Sequence, residues 1–354
     1  MIKSKYKVIG TMSGTSLDGL DLAYIEFSFN DFWSFRILQT ETIAYSKGWK
    51  ETLKNLVSNS KEELLIIDKK YTAYLSQTII DFISRNKILS LDVVCSHGHT
   101  ALHQPEKGLT YQIGNLENIA KLIGRTVICD FRVQDVELGG QGAPLVPIGD
   151  ELLFQKYDFC LNLGGFANIS TKVNSTRIAY DICPVNIVLN HYVSKLGFDF
   201  DENGKLASIG NLNEKLLAQL NNLGFYNSNP PKSLGLEWVK EKIFPIIDSY
   251  SLSIEDVLRT FVEHCAFQIS NEINKKQNAS VLVTGGGAYN SYLINRIKNL
   301  TYNSIVIPEK NLIEYKEALI FGLLGVLKLR GENNCLSSVT GSKIDHSSGK
   351  IYYP

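Results

Sequence analysis

Residues 10–21 bring glycines, small hydroxyl side chains and two aspartates together in one short segment, GTMSGTSLDGLD. Glycine lets backbone N–H groups approach a ligand closely, and Ser and Thr add further hydrogen-bond donors. A carboxylate in the same segment can hold the water shell of a metal ion. This chemistry suits a bound polyphosphate. The segment is not a Walker A loop, because no Gly-Lys-Ser/Thr follows it and the next element is predicted to be a strand.

Two more glycine-rich segments follow predicted strands later in the chain. In residues 161–170, LNLGGFANIS, the Gly-Gly pair is flanked by two asparagines whose amides can donate to phosphate oxygens. In residues 281–290, VLVTGGGAYN, three glycines place bare backbone beside a ligand at the start of a helix. A tight turn without a ligand stays an alternative for each segment. The segment 281–290 is not a Rossmann fingerprint, because no glycine stands at position 290.

Asp181 ends a predicted strand in the sequence YDICPVN of residues 180–186. A carboxylate at that place can act as a general base. The alternative is a helix N-cap, because a helix is predicted to begin near residue 185.

Residues 96–100 read SHGHT, and His103 follows closely. Three histidines in seven residues suggest zinc, but no fourth ligand is evident in the sequence. We therefore favour polar recognition of a hydroxylated substrate over a metal site or an ordinary loop. Arg132, in the sequence DFR of residues 130–132, can clamp a substrate carboxylate.

The elements that must position these residues form two similar series. Strands predicted within residues 6–45 are followed by a helix at 61–86 and by alternating strand and helix up to residue 129. Three strands predicted within residues 158–180 are followed by helices, a strand at 280–284 and a final strand and helix. This order favours an α/β protein with two lobes.

The glycine-rich loop at residues 139–144 breaks regular structure between the two series. We predict an N-terminal lobe over residues 1–130 and a C-terminal lobe over residues 131–354, and leave the last ~15 residues open to either lobe. Two lobes that each open with a meander and a glycine-rich turn resemble the superfamily of actin, sugar kinases and Hsp70 ATPases. That resemblance implies a two-lobed actin-like ATPase (ribonuclease H-like) fold with nucleotide in the cleft between the lobes.

Composition narrows the classes of partner. The 354 residues include 36 Lys plus Arg and 36 Asp plus Glu, so no basic field favours nucleic acid or an anionic membrane. No apolar run approaches the ~20 residues of a membrane span, and no signal-type core follows the N-terminus. We expect a cytoplasmic protein with neither nucleic acid nor membrane as a partner. The six scattered cysteines are expected to be reduced and buried.

At these motifs the chain resembles the anhydro-N-acetylmuramic acid kinases of bacterial cell-wall recycling. His99 stands where the family has glutamine. The family's DTGPGN is DICPVN in this chain, so Cys183 and Val185 replace glycines and would reshape the sugar pocket if those glycines need positive φ. The matching segments are 12–21 (MSGTSLDGLD), 96–100 (SHGHT), 130–132 (DFR), 139–147 (GGQGAPLVP), 161–168 (LNLGGFAN), 230–235 (PPKSLG), 285–290 (GGGAYN), 317–318 (EA) and 338–341 (SVTG).

The resemblance implies that ATP phosphorylates O6 of 1,6-anhydro-N-acetylmuramic acid while water opens the anhydro bridge, giving N-acetylmuramic acid 6-phosphate and ADP. Asp181 matches the family's catalytic aspartate and would deprotonate the water. Mg²⁺ would lie near Asp18. The implied ATP-binding residues are Ser13, Gly14, Thr15, Ser16, Leu17, Asp18, Gly19, Leu20, Asp21, Asn162, Gly164, Gly165, Asn168, Gly285, Gly286, Gly287 and Asn290. The implied sugar-binding residues are His97, His99, Thr100, Arg132, Asn186 and Glu317.

Two other functions stay open. One is a kinase of the same fold that acts on a different amino sugar. The other is an actin-like ATPase or non-catalytic ATP-binding regulator without a small substrate. Asp181 and the polar segment 96–104 argue against the second, because a nucleotide switch needs neither a base nor a sugar-binding segment. The sequence leaves the oligomeric state open, a homodimer included.

Overall fold

The computed structural model of the protein describes residues 3–14 and 16–354. The chain folds into two compact units, Met1–Leu153 with Tyr315–Pro354, and Phe154–Glu314. This division differs from the predicted boundary at residue 130. Two short helices after that boundary, Val133–Glu137 and Pro147–Leu153, pack against strands of the first unit. The chain also returns to the first unit well before its last few residues.

The structure contains twelve strands and fourteen α-helices among the described residues. The strands are β1 Lys5–Ser13, β2 Gly19–Asn30, β3 Phe32–Ala44, β4 Val93–Gln104, β5 Leu109–Ile113, β6 Val127–Cys129, β7 Phe159–Leu163, β8 Phe166–Val173, β9 Thr176–Pro184, β10 Ser280–Thr284, β11 Ser304–Val306 and β12 Lys350–Tyr352. The helices are α1 Lys47–Lys54, α2 Lys61–Arg85, α3 Ile119–Ile123, α4 Val133–Glu137, α5 Pro147–Leu153, α6 Asn186–Val193, α7 Lys205–Ile209, α8 Glu214–Asn221, α9 Leu236–Trp238, α10 Phe244–Asp248, α11 Ile254–Ile273, α12 Ser291–Asn299, α13 Lys310–Arg330 and α14 Ser337–Thr340.

The first unit is built on one sheet with the strand order β12-β6-β4-β1-β2-β3, to which β5 adds by pairing with β4. Strands β1, β2 and β3 form an antiparallel meander, and β4 and β6 lie parallel to β1. Strand β4 continues to Gln104, so the histidine segment lies within a strand and not after one. Alternation of apolar and polar residues does not predict this part of the strand, because polar and apolar residues are both buried along β4.

The second unit repeats the arrangement with the strand order β11-β10-β7-β8-β9. Strands β7, β8 and β9 form the antiparallel meander, and β10 and β11 lie parallel to β7. The same topology therefore occurs twice, each time with helices packed on the sheet. The predicted α/β architecture with two lobes of the actin-like, ribonuclease H-like type is confirmed. None of the helices in the described ranges is long and apolar enough to cross a membrane.

Helix α13 lies unusually close to the sheet of the first unit. A Cβ atom built on Gly10 of β1 would stand 1.9 Å from the carbonyl oxygen of Ala318, and one built on Gly325 would stand 2.1 Å from Sγ of Cys95. Small residues on both surfaces thus permit direct contact between helix and strand backbones. Helix α13 departs from helical geometry at Tyr315, the residue at which the chain enters the first unit.

Replacing Gly10 with alanine should therefore destabilise the protein. The added methyl group meets backbone atoms that cannot rotate away, and we expect a loss of about 1–3 kcal/mol in the free energy of unfolding. Urea titration followed by circular dichroism measures the change. Gly48→Ala is the matched control, because Gly48 lies in α1 and a Cβ atom built on it would stand 3.9 Å from Oγ of Ser46, an ordinary contact. Equal stability of the two variants would contradict the close packing.

Candidate active site

Three polar residues form a row across the meander of the second unit. Asn162 of β7 pairs with Asn168 of β8, which in turn pairs with Asp181 of β9. Directly opposed residues point to the same face of a sheet. A β-bulge directly follows the row, because the register between β8 and β9 shifts between Ala167 and Asn168 and leaves Ile182 as the extra residue. Asp181 itself keeps the register that begins at the pair Val173–Thr176, and the extra residue shifts only the pairing of Cys183 and Pro184.

Backbone groups of the segment 230–235 hold Asp181 from both sides. The N–H of Leu234 donates to Oδ2 of Asp181 at 2.8 Å, and the N–H of Asp181 donates to the carbonyl of Lys232 at 3.1 Å. Burial raises the pKa of Asp181 above its ordinary value, and the Leu234 hydrogen bond opposes part of that rise. The N-cap alternative is wrong, because Val185 occupies the cap of α6 and no side chain bonds there.

The segment 230–235 is itself anchored by a buried ion pair. The ammonium of Lys232 lies 3.8 Å from Glu272 and 4.9 Å from the centre of the Phe225 ring. Glu272 also accepts a hydrogen bond of 2.9 Å from Tyr180, the neighbour of Asp181. Sequence reasoning gave this segment no role, although its motif PPKSLG was one of those that resemble the kinase family. Its role in the structure is to fix the backbone on which Asp181 depends.

Asn186 is directed at the second glycine-rich turn, between β7 and β8. Its side-chain amide donates to the carbonyls of Leu163 and Gly164 at 3.2 Å and 2.8 Å. Gly164 is half-buried and Gly165 is exposed, so the backbone at the tip of the turn is accessible. The amide nitrogen of Asn186, predicted to bind the sugar, is thus engaged in shaping the turn.

The triple-glycine segment packs against the same turn. A Cβ atom on Gly287 would stand 2.7 Å from the Cβ atom of Leu163, and Gly285 has φ of 83°, a value that favours glycine. Gly286 is exposed with open space around its Cα. Asn290 is buried and caps α12 through its side chain. The structure therefore brings the second and third glycine-rich segments together within the second unit.

The first glycine-rich turn joins β1 to β2 in the first unit. The N–H of Leu17 donates to the carbonyl of Gly14 at 3.3 Å, and Leu17 has φ of 59°. Ser16 and Asp18 are exposed, so their polar groups can meet a ligand. Thr15, also predicted to bind ATP, lies outside the described residues.

Other residues predicted to bind ATP are packed or hydrogen-bonded inside the first unit. Leu20 belongs to its hydrophobic core. A Cβ atom on Gly19 would stand 2.5 Å from the carbonyl oxygen of Ile43, which leaves no room for a side chain. Asp21 accepts a hydrogen bond of 2.6 Å from Thr42 on the adjacent strand. These residues hold the end of the turn in place.

A second register shift aims His99 at the first turn. Thr11 of β1 pairs with Ser96 of β4, but Ser13 pairs with His99, so β4 carries one extra residue. Gly98 lies in this bulge with φ of 71°, a value that favours glycine.

His99 supports the turn through a chain of buried hydrogen bonds. Its Nδ1 lies 2.7 Å from the hydroxyl of Ser13, which lies 2.6 Å from the hydroxyl of Tyr45. The Tyr45 hydroxyl is also 2.6 Å from that of Tyr71. Burial lowers the pKa of His99 to about 4, so the ring is neutral at pH 7. His99 was predicted to bind the sugar, but its Nδ1 is engaged with a residue of the first turn.

Arg132 and His97 form a fixed pair. Nε of Arg132 donates to Nε2 of His97 at 2.9 Å, and Nη1 donates to the carbonyl of Gly142 at 2.6 Å. Nδ1 of His97 lies 3.0 Å from the carbonyl of Gly98, which can only accept, so Nδ1 carries the hydrogen. Burial and the charge of Arg132 hold the pKa of His97 well below its ordinary value. The pair therefore carries one positive charge, on the guanidinium.

The remaining predicted sugar-binding residues occupy different positions. Glu317 is exposed on α13, near enough to Arg132 for the two charges to influence each other. Thr100 is half-buried on β4 opposite Gln112. His103 bonds Thr110 at 3.0 Å. Within the described part of the chain, His97, His99 and His103 do not assemble into a set of metal ligands.

Asp135 organises the loop 139–144 and was missed by the sequence analysis. Its carboxylate accepts hydrogen bonds of 2.7 Å from the N–H of Gly142 and from the hydroxyl of Thr340. The N–H of Gln141 donates to the carbonyl of Thr340 at 2.8 Å. The motifs at 139–147 and 338–341 thus contact each other. In the sequence, the one indication that this region matters was that both motifs resemble those of the kinase family.

Cys183 and Val185, which replace family glycines, lie in the hydrophobic core of the second unit. Val185 has φ of −132°, and Cys183 does not have positive φ. Neither position requires glycine for its backbone conformation in this chain. Their side chains add to core packing. All six cysteines of the chain are buried and in the thiol form, as expected.

The chain is similar to known proteins over nearly its whole length. A family model described as anhydro-N-acetylmuramic acid kinase matches residues 6–354. Proteins of that description from Mannheimia succiniciproducens and Haemophilus influenzae are each 33% identical to this chain. The first alignment covers 99% of this chain and 100% of the relative, and the second covers 97% of each.

A ligand-bound xylulose kinase from Lactobacillus acidophilus is 12% identical, with a TM-score of 0.46 over 99% of this chain and 94% of that one. A likeness this weak carries no argument about function. The family match over residues 6–354 and the relatives at 33% identity do support common descent. This chain belongs to the anhydro-N-acetylmuramic acid kinase family.

Proposed function

We propose that the protein is an ATP-dependent kinase that phosphorylates O6 of 1,6-anhydro-N-acetylmuramic acid while water opens the anhydro bridge. The products are N-acetylmuramic acid 6-phosphate and ADP. The observation that carries this proposal is the setting of Asp181, a half-buried carboxylate held by backbone hydrogen bonds and aligned with Asn162 and Asn168. Full-length membership of the kinase family supports it.

Asp181 is the general base of the proposed reaction. The Leu234 N–H occupies Oδ2, and Oδ1 takes a proton from the water that attacks C1 of the sugar. The bond from C1 to O6 breaks, and its electrons allow O6 to attack the γ-phosphorus as the bond to the ADP oxygen breaks. The raised pKa of the carboxyl group makes it a stronger base for this transfer.

We assign phosphate binding to the glycine-rich turns. The accessible backbone of Gly165 and Gly286 supplies N–H donors, as does the first turn at Ser16 and Asp18, whereas the N–H of Gly164 donates to the carbonyl of Phe166. The amides of Asn162 and Asn168 add donors beside the base. Phosphoryl transfer depends chiefly on such positioning and on neutralisation of charge.

The exposed carboxylate of Asp18 fits a magnesium ion held through its waters. Mg²⁺ prefers oxygen ligands and keeps much of its hydration shell, so one accessible carboxylate beside the phosphates is a suitable protein ligand. When bound, the ion neutralises charge on the phosphates.

Arg132 is the residue we assign to the sugar's carboxylate. Two of its nitrogens are engaged with His97 and Gly142, which fixes the plane of the guanidinium and directs the remaining nitrogen, Nη2. A fixed guanidinium suits a planar carboxylate. Glu317 lies near the same group and is available to accept hydrogen bonds from sugar hydroxyls.

The reaction can be tested directly by its isotope pattern. Incubation with ATP, Mg²⁺ and 1,6-anhydro-N-acetylmuramic acid in H₂¹⁸O should give a 6-phosphorylated sugar with one ¹⁸O at C1, read by mass spectrometry. The label enters at C1 because water attacks that carbon. ADP formed without a labelled sugar phosphate would refute the proposal.

A parallel incubation tests the alternative of a different amino sugar. 1,6-Anhydro-N-acetylglucosamine lacks the lactyl carboxylate that we assign to Arg132, so it should be turned over with a lower kcat/KM. A higher kcat/KM for this sugar would favour the alternative substrate and remove the assigned role of Arg132.

Asp181→Asn should lower turnover by about 10²-fold or more, because the amide cannot accept the proton. ATP affinity, measured by calorimetry, should be retained, since the amide keeps the size of the carboxylate. Asp199→Asn is the matched control, because Asp199 is an exposed carboxylate of the same unit. Turnover of Asp181→Asn equal to that of the control would remove Asp181 from the mechanism.

A further inference from the structure

Three side chains of the first unit, none of them assigned to the proposed reaction, bring typical metal-ligand atoms together. Asp135, Cys335 and His346 are each at most 5% exposed, and their ligand atoms all lie within 4.8 Å of one another. The backbones of Cys335 and His346 pair as an antiparallel bridge with hydrogen bonds of 3.0 Å and 3.2 Å. The arrangement is therefore held by the backbone.

Toward this cluster His346 turns a ring nitrogen that has no hydrogen-bond partner in the described part of the chain. Its Nδ1 lies 3.1 Å from the carbonyl of Ile344, which can only accept, so Nδ1 carries the hydrogen. Nε2 is buried and has no hydrogen-bond partner among residues 3–14 and 16–354. It lies 3.6 Å from Oδ1 of Asp135. A ring nitrogen without such a partner thus faces a carboxylate oxygen, and a cation held between the two atoms would satisfy both.

The separation of these atoms suits a metal ion better than a proton. A hydrogen bond between a charged imidazole and a carboxylate is usually about 2.7–2.9 Å long. In a tetrahedral zinc site with bonds of about 2.0–2.1 Å, neighbouring nitrogen and oxygen ligands lie about 3.3–3.4 Å apart. The observed 3.6 Å is close to the second value.

Charge and ligand type favour zinc. The direct donors to Asp135 are the neutral N–H of Gly142 and hydroxyl of Thr340, and Arg132 is a charged group that also acts on its buried carboxylate. A carboxylate and a thiolate together carry two negative charges, which a divalent ion neutralises. Sulfur and imidazole ligands select zinc over magnesium.

We propose that Asp135, Cys335 and His346 bind a Zn²⁺ ion, with a water molecule as the fourth ligand. Binding releases the thiol proton of Cys335 to solvent and leaves the ion with three protein ligands. The ion would link two segments of the chain. One carries Asp135, which shapes the loop 139–144, and the other is the segment 335–346. This site contains none of the residues assigned to the proposed kinase reaction or to the magnesium ion near Asp18, although Asp135 and Cys335 act electrostatically on Arg132.

Metal content and an optical spectrum test the site without any assay of turnover. Protein stripped with a chelator and dialysed against Zn²⁺ should retain about one equivalent by elemental analysis. Replacement by Co²⁺ should give the absorption of a thiolate-to-cobalt charge transfer, and added Mg²⁺ should not displace it. No retained zinc, or cobalt binding without that absorption, would overturn the proposal.

Cys335→Ser should lose the charge-transfer absorption and bind Zn²⁺ at least tenfold more weakly. Cys95→Ser is the matched control, because Cys95 is an equally buried cysteine of the same unit outside the cluster, and it should keep both properties. If circular dichroism shows that Cys335→Ser does not fold, His346→Asn is used in its place. This variant should also bind Zn²⁺ at least tenfold more weakly. Unchanged metal binding in the folded variant would overturn the assignment.

Discussion

The orientation of the proposed catalytic base depends on the register between β8 and β9. In that register Asp181 faces Asn168 and shares a sheet face with Asn162, and the β-bulge at Ile182 follows directly and shifts the pairing of Cys183 and Pro184. A bulge commonly changes the direction of a side chain next to an active site. The first unit has a corresponding register shift between β1 and β4, which brings His99 to Ser13. In the second unit, the inserted residue lies beside Asp181, and in the first unit it decides that His99 reaches the segment near the glycine-rich turn.

Buried contacts maintain these orientations. Lys232 and Glu272 fix the segment whose backbone bonds Asp181, and burial raises the pKa of that carboxyl group. Asn186 fixes the turn beside it through two hydrogen bonds. In the first unit, the neutral ring of His99 holds Ser13. Several residues predicted to bind ligand therefore hold neighbouring residues of the proposed site in place, as a preorganised site requires.

The sequence was sufficient for the two-lobed α/β fold, since the repeated order of strands and glycine-rich turns is a local pattern. It was insufficient for the register, because a bulge at Ile182 or Gly98 changes the facing residue without changing the pattern of apolar residues. It also missed contacts between distant segments. Asp135 and Thr340 are separated by 205 positions, and nothing local to either predicts their hydrogen bond.

The dependence of kcat/KM on pH tests the role of Asp181 most directly. The base must be ionised, so kcat/KM should fall about tenfold per pH unit below its pKa. Because burial raises that pKa, the acid limb should lie above about 3.9, the ordinary value for aspartate. The limb should vanish from the residual activity of Asp181→Asn. An acid limb at or below the ordinary value, or one that persists in Asp181→Asn, would contradict the assignment of Asp181 as the base.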